Sequence, residues 1–429
     1  MAPERGSGWL GSTFNSLDNT SFRILSVGSF LAFVGFMMSS TAQNVVAFDI
    51  TGNNRAVGLV TFGQGIAMLF LAPFGGALAD RLSKRLVLLV CQSMIGLTFL
   101  SVAILLATDQ ITIFFLAASA FITGTMFSLL GPARQALVGE LIEPNRRGNA
   151  AALTQVALNS ARVAGPLLGS ALLAWSLFGA TGTFFVAAAV FVVVVATLSL
   201  LPPTQRQDTG GRSVLADVAL GIKYVRENPQ LLPLVLGFIL VVTMGFPYFT
   251  VLPGYANQEL GVGAAGYGIM VGVSAMGGLV MSLLVAPLAD SSKARFFLVL
   301  NTIGIGVALI LTGLAPSFAI ALITMFGVGA ATSGFQTLNS ALVLREANPA
   351  YYGRVMSLMM LAWGFAGVAG LPVGVLADAI GERGALIGMG TAVCIAIALL
   401  TAWGARLSSR REYVAGATLA AREGGAGGR

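Results

Sequence analysis

The sequence contains no histidine, and its two cysteines, Cys91 and Cys394, stand far apart in separate apolar runs of a 429-residue chain. With no Cys-x-x-Cys or Cys–His spacing, disulfides and zinc sites are not expected. No Gly-x-x-x-x-Gly-Lys-Ser/Thr segment for nucleotide phosphates accompanies the apolar runs. No nucleophile and base stand at a usable spacing either. These absences argue against an enzyme, against ATP hydrolysis by this chain and against a metal or other cofactor.

Charge is also scarce, because only 10% of the residues are charged whereas 56% are hydrophobic. A soluble protein of this length needs many more charges to cover its surface. The formal net charge is +7, and the charged residues fall in short connections between apolar runs. The sequence therefore predicts a lipid bilayer as the partner and argues against nucleic acid. The first apolar run, residues 24–48, is too long for a signal peptide and is expected to remain as a membrane span.

Crossing the hydrocarbon core of a membrane takes about 20 apolar residues. Twelve such runs form two sets of six, predicted at residues 22-48, 56-79, 86-107, 111-133, 149-177 and 180-201, and at 231-256, 265-289, 295-315, 317-343, 352-380 and 384-406. Some connections, such as Ala315–Ser317, are so short that they fit only antiparallel neighbours. The sequence predicts an all-α protein with twelve transmembrane helices.

The positive charges predict the orientation of these spans. With both termini inside, 2 of the 24 Lys and Arg residues lie in outer connections, 1 lies within a span, and the other 21 lie on the inner side. Cytoplasmic connections of membrane proteins carry such an excess of positive charge. We therefore expect a multi-pass protein with both termini cytoplasmic.

The longest connection separates the two sets of spans. Ser213 is a predicted N-cap for a helix over residues 214–228, whose apolar face and basic residues are typical of a helix lying on a membrane surface. A solvated linker is the alternative. The predicted organisation is a cytoplasmic tail at 1-21, a six-helix bundle at 22-201, a cytoplasmic linker at 202-230, a second bundle at 231-407 and a disordered cytoplasmic tail at 408-429.

The two sets of spans contain related segments. The segment 78–85 recurs at 288–295 with the same Leu-Ala-Asp and the same final Arg. The segment 136–169 recurs at 341–374 with the same Ala-Leu-Val, one Pro and three Gly. Because each half has six spans, both halves enter and leave on one side, which makes them parallel repeats about an axis along the membrane normal. Two such bundles can rock about a central site, so the sequence predicts a secondary transporter.

The segments Gly75–Arg85 and Asp290–Arg295 resemble the signature of the major facilitator superfamily between its second and third helices. The resemblance covers about residues 22 to 407 and implies the fold of that superfamily, two parallel six-helix repeats. Four further segments resemble the branch that holds the enterobactin exporter and macrolide efflux proteins: Pro132–Arg134, Asn159–Gly169, Gly221–Pro229 and Tyr352–Ser357. Gly165-Pro166 with Gly169 resembles the fifth-helix pattern of exporters, although Ser170 stands where that pattern often has a second glycine.

The resemblance implies secondary active transport by alternating access. The implied activity is export of an amphipathic small molecule, such as a drug, a macrolide or a siderophore, by proton antiport. The implied partners are the bilayer, the small-molecule substrate and protons, with the chain acting as a monomer in the bacterial inner (plasma) membrane. Three alternatives stay open: a lysophospholipid or other lipid transporter, a nutrient importer, and a non-transporting receptor or scaffold on a carrier fold.

The resemblance also implies a gate at the inner mouth. A carboxylate at a helix end can bond basic side chains and neighbouring helix termini, forming a latch that breaks when this side opens. The alternative is that the basic residues only satisfy the positive-inside rule. The expected latch residues are Gly76, Asp80, Arg81, Arg85, Arg134, Glu140, Asp290 and Arg295.

Arg162 is the least usual residue, because it lies roughly 21 Å deep in the fifth predicted span at about 1.5 Å per residue. An arginine near the bilayer centre is costly and faces a cavity or a partner. No carboxylate is predicted at similar depth. Arg162 is therefore expected to bond amides such as Asn44 or Asn159, to hold an anionic substrate group, or to support the fifth helix near Pro166.

Other polar and aromatic residues within spans are candidates for a substrate cavity, with hydrogen bonds between helices as the alternative for each. With Arg162, the candidates are Gln43, Asn44, Asn159, Tyr248, Gln336, Asn339 and Trp363. Paired helix interruptions, which point to moving parts, are predicted at Gly165, Pro166, Gly169, Gly370 and Pro372. Close packing alone is the alternative there. Asp49 is the candidate for proton coupling, because no carboxylate is predicted at mid-membrane.

Overall fold

The computed structural model describes residues 15–143, 146–175, 177–203, 214–289, 291–348 and 351–426. Side chains are not described at 72–81, 214–217, 404–426 and a few single positions that include Asn159. The first half contains helices α1 (Thr20–Thr51), α2 (Asn54–Arg81), α3 (Lys84–Ala107), α4 (Ile113–Leu141), α5 (Arg147–Ala174) and α6 (Gly179–Ser199). Helix α7 (Val214–Glu227) lies in the connection between the halves. The second half contains α8 (Leu231–Gly245), α9 (Tyr248–Gly254), a π-helical turn (Tyr255–Glu259), α10 (Gly263–Val285), α11 (Ala294–Leu314), α12 (Phe318–Glu346) and α13 (Tyr352–Ala426).

Eleven helical stretches of the described chain are long and apolar enough to cross a membrane. The last of them, Tyr352–Trp403, has 52 residues. At about 1.5 Å per residue it is more than twice as long as the ~30 Å hydrocarbon core. Gly381 interrupts it with φ 81° and ψ 158°, a conformation that glycine adopts at little cost. The stretch makes two crossings, so the prediction of an all-α protein with twelve transmembrane helices is confirmed.

Local caps determine where the first span begins and ends. The side chain of Asn19 accepts a hydrogen bond from the N–H of Phe22 at 3.1 Å, which caps the start of α1. The Asn19 amide also donates to the carbonyl of Leu141 at 2.8 Å, so the beginning of α1 meets the end of α4. At the other end of α1, Gly52 has φ 67° and stops the helix. We call the side on which α1 begins the inner face, and the opposite side the outer face.

Contacts between the halves follow the repeat. Helix α2 packs along the first span of α13, and α5 packs against α10. The second span of the first half thus meets the fifth span of the second half, and the fifth span of the first half meets the second span of the second half. Each half thus offers its second helix to the other's fifth, as a two-fold axis between parallel repeats requires.

Glycines allow α2 to approach the first span of α13 closely. A Cβ atom on Gly58 would lie 2.6 Å from the carbonyl oxygen of Gly370, and one on Gly364 would lie 2.8 Å from the Cα of Leu69. Such distances leave no room for a side chain. Small residues of this kind let membrane helices pack backbone against backbone.

Helix α7 is held against the second half. The ring of Tyr224 stacks on the ring of Tyr351, with centroids 4.1 Å apart. The Tyr224 hydroxyl accepts a hydrogen bond from the N–H of Asn348 at 2.8 Å. The guanidinium of Arg354 lies 5.2 Å from the centre of the Tyr351 ring, within cation–π range. The C-terminal half of α7 is therefore anchored at the start of the eleventh span.

Two helices are longer than the sequence predicts, and this moves two candidate residues. The fourth span was expected to end at residue 133, but α4 continues to Leu141 and includes Pro132. Arg134 and Glu140, expected in an inner connection, therefore lie on a helix. The residues after Pro132 are mostly good helix formers, which continue α4 toward the inner face. In the same way, α12 continues to Glu346, beyond the predicted end at residue 343.

The backbone of the C-terminal tail is helical as far as Ala426. The sequence predicts disorder from residue 408 because this stretch is polar and rich in glycine. Alanine and arginine are frequent in it, and these residues favour a helix.

Candidate functional site

A cavity of about 620 Å³ lies between the two halves. Its volume lies within the range of roughly 300–1,000 Å³ that is common for sites of organic ligands. Residues of all six helices of the first half line it, and residues of α9, α10, α12 and α13 line it from the second half. The lining includes Leu25, Arg134 and Ser282, which are near the inner ends of their helices. The cavity thus extends to the inner face.

The outer ends of the halves are joined by the side chains of Asp378 and Glu382. The carboxylate of Asp378 accepts hydrogen bonds from the backbone N–H groups of Asn54 at 2.7 Å and Arg55 at 3.0 Å. These N–H groups are at the start of α2, where they have no partner within the helix. The buried Glu382 accepts a hydrogen bond from the Asn54 amide at 2.8 Å. We call these four residues the outer closure.

Three further hydrogen bonds join the halves near the outer closure and along the outer portions of the spans. Their partners are Gln258 with the carbonyl of Gly52 at 3.2 Å, Asn44 with the Tyr267 hydroxyl at 3.2 Å, and Thr61 with Thr250 at 3.5 Å. Among the residues that the structure describes, every hydrogen bond that joins one half to the other lies in the outer portion of the spans. The structure is therefore closed at the outer face, and its cavity opens toward the inner face.

The first half supplies charge and aromatic surface to the cavity. Among the described lining residues, Arg134 and Arg162 are the charged ones, with no aspartate or glutamate beside them. Arg162 is exposed into the cavity, and Arg134 is half-buried. No hydrogen bond or ion pair joins either guanidinium to a residue that the structure describes. Next to them on α1 and α4, Phe36 and Phe127 have ring centroids 4.1 Å apart.

The second half supplies aromatic and neutral polar groups. Tyr248 and Phe249 stack with ring centroids 4.2 Å apart. Phe246 meets Trp363 edge to face at 4.8 Å. Gln336 adds an amide to the same wall. A flat apolar body with hydrogen-bonding groups at its edge fits such a wall.

Five of the eight residues proposed for the cavity line it: Asn44, Arg162, Tyr248, Gln336 and Trp363. Two others serve helix packing. The Gln43 amide donates to Ser119 at 2.7 Å and to the Leu116 carbonyl at 3.1 Å, joining α1 to α4. The Asn339 amide donates to the carbonyl of Leu234 at 3.1 Å, joining α12 to α8. The side chain of Asn159 lies outside the described residues.

The proposed helix interruptions lie where the helices approach each other. Pro166 lines the cavity, and α5 remains helical through it. Gly165 and Gly169 face α1, and a Cβ atom on Gly169 would lie 2.9 Å from the carbonyl oxygen of Met38. Gly370 faces Thr61 of α2, and Pro372 lies within the helical first span of α13. Close packing accounts for the glycines.

The inner ends of the helices carry ion pairs within each half. Lys84 of α3 is buried and pairs with Glu140 of α4. Arg295 of α11 pairs with Glu346 of α12 at 3.1 Å. Arg85 donates to the carbonyl of Ser199 on α6. None of these three contacts joins the two halves. Of the other proposed latch residues, Gly76, Asp80 and Arg81 are described only in their backbone, and Asp290 lies outside the described residues.

Asp49 lies apart from the main cavity. It is exposed at the outer end of α1 and lines a small outer pocket with Phe48, Pro253 and Tyr267. The sequence likewise places Asp49 at the outer end of the first predicted span.

Sequence reasoning missed Lys84, Glu346, Asp378 and Glu382 as candidate site residues. The pairs Lys84–Glu140 and Arg295–Glu346 join corresponding helices of the two repeats. When the repeats are aligned by their matching segments, each residue of the second pair lies one position after its counterpart in the first pair. A search for charged residues near matching positions finds them. No such signal exists for Asp378, because its partners are backbone groups of the other half.

The family of the chain follows from its sequence and fold together. The sequence model of the Major Facilitator Superfamily matches residues 25–371, most of the chain. The chain belongs to the major facilitator superfamily. It is therefore a membrane transporter of small molecules and not an enzyme. The superfamily fold predicted from the signature segments is confirmed.

Two relatives of this superfamily member match it over most of its length. A staphyloferrin A transporter of Staphylococcus aureus (strain NCTC 8325 / PS 47) is 23% identical over 372 residues, covering 86% of this chain and 92% of its own. An enterobactin exporter of Shigella boydii serotype 18 is 26% identical over 390 residues, covering 88% of this chain and 89% of its own. The predicted resemblance to the enterobactin exporter is confirmed.

Solved structures of superfamily transporters share the fold. A bacterial homologue of the human lysosomal transporter Spinster, inward-facing and occupied, superposes with a TM-score of 0.73 at 14% identity, covering 94% of this chain and 98% of its own. A POT family transporter in complex with a thioalcohol-conjugated peptide gives a TM-score of 0.75 at 14% identity, covering 90% and 96%. At this identity the likeness concerns the fold alone.

Proposed function

We propose that this transporter exports an amphipathic small molecule of the siderophore class by alternating access, as a monomer in the bacterial plasma membrane with both termini cytoplasmic. The observation that carries the proposal is the cavity of about 620 Å³ that opens toward the inner face and is closed by Asp378 and Glu382 at the outer face. An exporter loads its substrate from the cytoplasm in such a state. Breaking the outer closure and closing the inner face would then release it outside.

The relatives support this direction and this substrate class. One is an enterobactin exporter, and another is a staphyloferrin A transporter. The fifth-helix pattern Gly165-Pro166 with Gly169 also resembles that of exporters. The cavity combines aromatic rings with a few polar groups, as an amphipathic molecule requires. Latch residues at the inner ends, with Asp80 as the central carboxylate, are proposed to close the inner face in the outward state.

We propose proton antiport as the driving force. The described lining of the cavity contains no carboxylate, so coupling through a carboxylate in the central site has no support. Asp49 at the outer end of α1 is the proposed proton-coupling residue. An outward-directed substrate flux should therefore rise when the outer compartment is more acidic than the inner one, and Asp49→Asn should abolish that dependence. A flux that ignores the imposed pH gradient in the unaltered protein would contradict antiport.

Export itself is tested in bacterial cells that make enterobactin but lack their own exporter for it. Expression of this transporter should restore enterobactin secretion. Gly65→Leu should abolish it, because a side chain there meets the backbone of Gly367 and forces α2 away from α13. Gly388→Leu is the matched control, since a Cβ atom on Gly388 meets nothing within 4 Å.

The same proteins in proteoliposomes separate the alternatives. Net uptake of enterobactin toward the inner face would indicate an importer, and flux of a lysophospholipid without enterobactin flux would indicate a lipid transporter. Either result would overturn the proposal, as would unchanged secretion in the cells.

A further inference from the structure

Two cationic side chains face the cavity and take no part in the hydrogen bonds and ion pairs between residues that the structure describes. Lys84, which is buried, is neutralised by Glu140. Arg383 at the outer face is satisfied by Glu259 at 2.6 Å and by the carbonyl of Ala315 at 2.8 Å. By contrast, Arg134 and Arg162 line the cavity with no partner among the described residues.

An unpaired arginine within a membrane span is costly, and it is retained where it serves a water-filled pathway or a ligand. Two such charges in one cavity, with no described carboxylate lining it, produce a positive potential that attracts anions. The guanidinium group is also the side chain best shaped to hold a carboxylate or phosphate through two parallel hydrogen bonds. Both arginines belong to the first half, so the charge lies on one wall.

The depths of the two arginines restrict the shape of the anion. The ends of α4 and α5 meet the start of α1 at the inner face, where Asn19 bonds Leu141 and Ser16 bonds the carbonyl of Arg146. From those ends, Arg134 lies about 10 Å deep and Arg162 about 22 Å deep at ~1.5 Å per residue. Along the membrane normal the two residues are thus about 12 Å apart. This difference in depth allows each guanidinium to bind a separate acid group when a molecule has acid groups at both ends.

We infer that the substrate is an anionic amphiphile with two separated acid groups, bound by Arg134 and Arg162, whose aromatic or apolar body lies against Trp363 and Tyr248. The inference rests on the proposed function and narrows its substrate class. It excludes cationic drugs as preferred substrates. An organic diacid has this chemistry, whereas a lipid with a single anionic headgroup carries one acid group, and the experiment below separates these two kinds of ligand.

Binding is measured by titration calorimetry on the full chain in nanodiscs. The probes are biphenyl-4,4′-dicarboxylate, its monomethyl ester, its dimethyl ester and lysophosphatidic acid. The dicarboxylate should bind about tenfold to a hundredfold more tightly than the dimethyl ester, because a hydrogen bond to a charged group contributes that much. The monomethyl ester should lie between them. Tighter binding of lysophosphatidic acid, which has one phosphate group, than of the dicarboxylate would overturn the inference of two separated acid groups.

The variants are Arg134→Gln and Arg162→Gln, with Arg226→Gln as the matched control on an exposed arginine of α7, outside the cavity. Each cavity variant should bind the dicarboxylate at least about tenfold more weakly and should no longer distinguish it from the monomethyl ester. Arg162→Lys should retain more of the discrimination than Arg162→Gln, and it keeps the test possible if the glutamine variant fails to fold. Equal binding of diacid and diester by the unaltered protein would overturn the inference, as would glutamine variants that bind the diacid normally.

The failure of the inference and the failure of the proposed function are distinguishable. A protein that secretes enterobactin but binds acid and ester equally refutes the anion site and leaves export in place. A protein that binds the diacid through both arginines but moves nothing outward refutes export and leaves the anion site in place.

Discussion

Lys84 at the start of α3 is 2% exposed and forms an ion pair with Glu140 near the end of α4. The corresponding pair of the second half, Arg295 with Glu346, is much more accessible, since the Arg295 side chain is 52% exposed. Glu346 also has a second cation, Arg345, at 3.4 Å. A buried charge that loses its partner is far more costly than an exposed one. The two halves therefore place the same kind of pair in different environments.

This difference predicts unequal effects of two neutral substitutions. Glu140→Gln leaves Lys84 buried without a countercharge and should destabilise the protein by about 1–3 kcal/mol. Arg295→Gln leaves Glu346 with Arg345 and should cost less than about 1 kcal/mol. The apparent Tm of the purified protein in one detergent measures both, with Arg295→Gln as the control. Equal losses in Tm would show that burial of Lys84 does not matter to stability.

At the scale of elements, the start of α2 is the place where the two halves are joined most directly. The first N–H groups of a helix have no partner within it and carry a partial positive charge. Asp378 of α13 supplies the carboxylate for the N–H groups of Asn54 and Arg55. A cap that normally comes from the same chain segment comes here from the other half. Moving the outer ends apart must therefore uncap α2.

The cap predicts that Asp378→Asn shifts the equilibrium toward the outward-open state. An amide lacks the charge of a carboxylate and offers one acceptor oxygen, so the cap weakens. In a background without Cys91 and Cys394, Gln64→Cys places a thiol in the cavity. A membrane-impermeant maleimide added from the outer side should label this cysteine about tenfold faster in the Asp378→Asn protein, since about 1.4 kcal/mol of lost stabilisation corresponds to that factor.

Asp109→Asn is the control for this experiment. Asp109 is exposed in the connection between α3 and α4 and has φ 53°, a conformation that asparagine also tolerates. Labelling should be unchanged in that variant. If Asp378→Asn also leaves the labelling rate unchanged, the cap does not hold the outer face closed.

At the scale of the whole molecule, the sequence is sufficient for the number, order and pairing of the spans. Length and hydropathy predict the crossings, and the matching segments predict parallel repeats. Individual contacts are not predictable in this way. Whether Gln43 faces the cavity or α4 depends on the rotation of α1, which a uniformly apolar helix does not encode in its pattern. Arg134 was expected in the inner connection after the fourth span, whereas the additional turns of α4 place it on the cavity wall.

The orientation in the membrane determines what the cavity is open to. The sequence assigns 21 of the 24 Lys and Arg residues to predicted inner connections and inner helix ends, and this excess predicts that the inner face is cytoplasmic. In a background without Cys91 and Cys394, Asp109→Cys tests the outer face and Lys223→Cys on α7 tests the inner face. An impermeant maleimide should label residue 109 but not residue 223 in intact cells, and both after permeabilisation. Labelling of residue 223 in intact cells would place the mouth of the cavity outside, and the same structure would then be loaded from the medium, as an importer is.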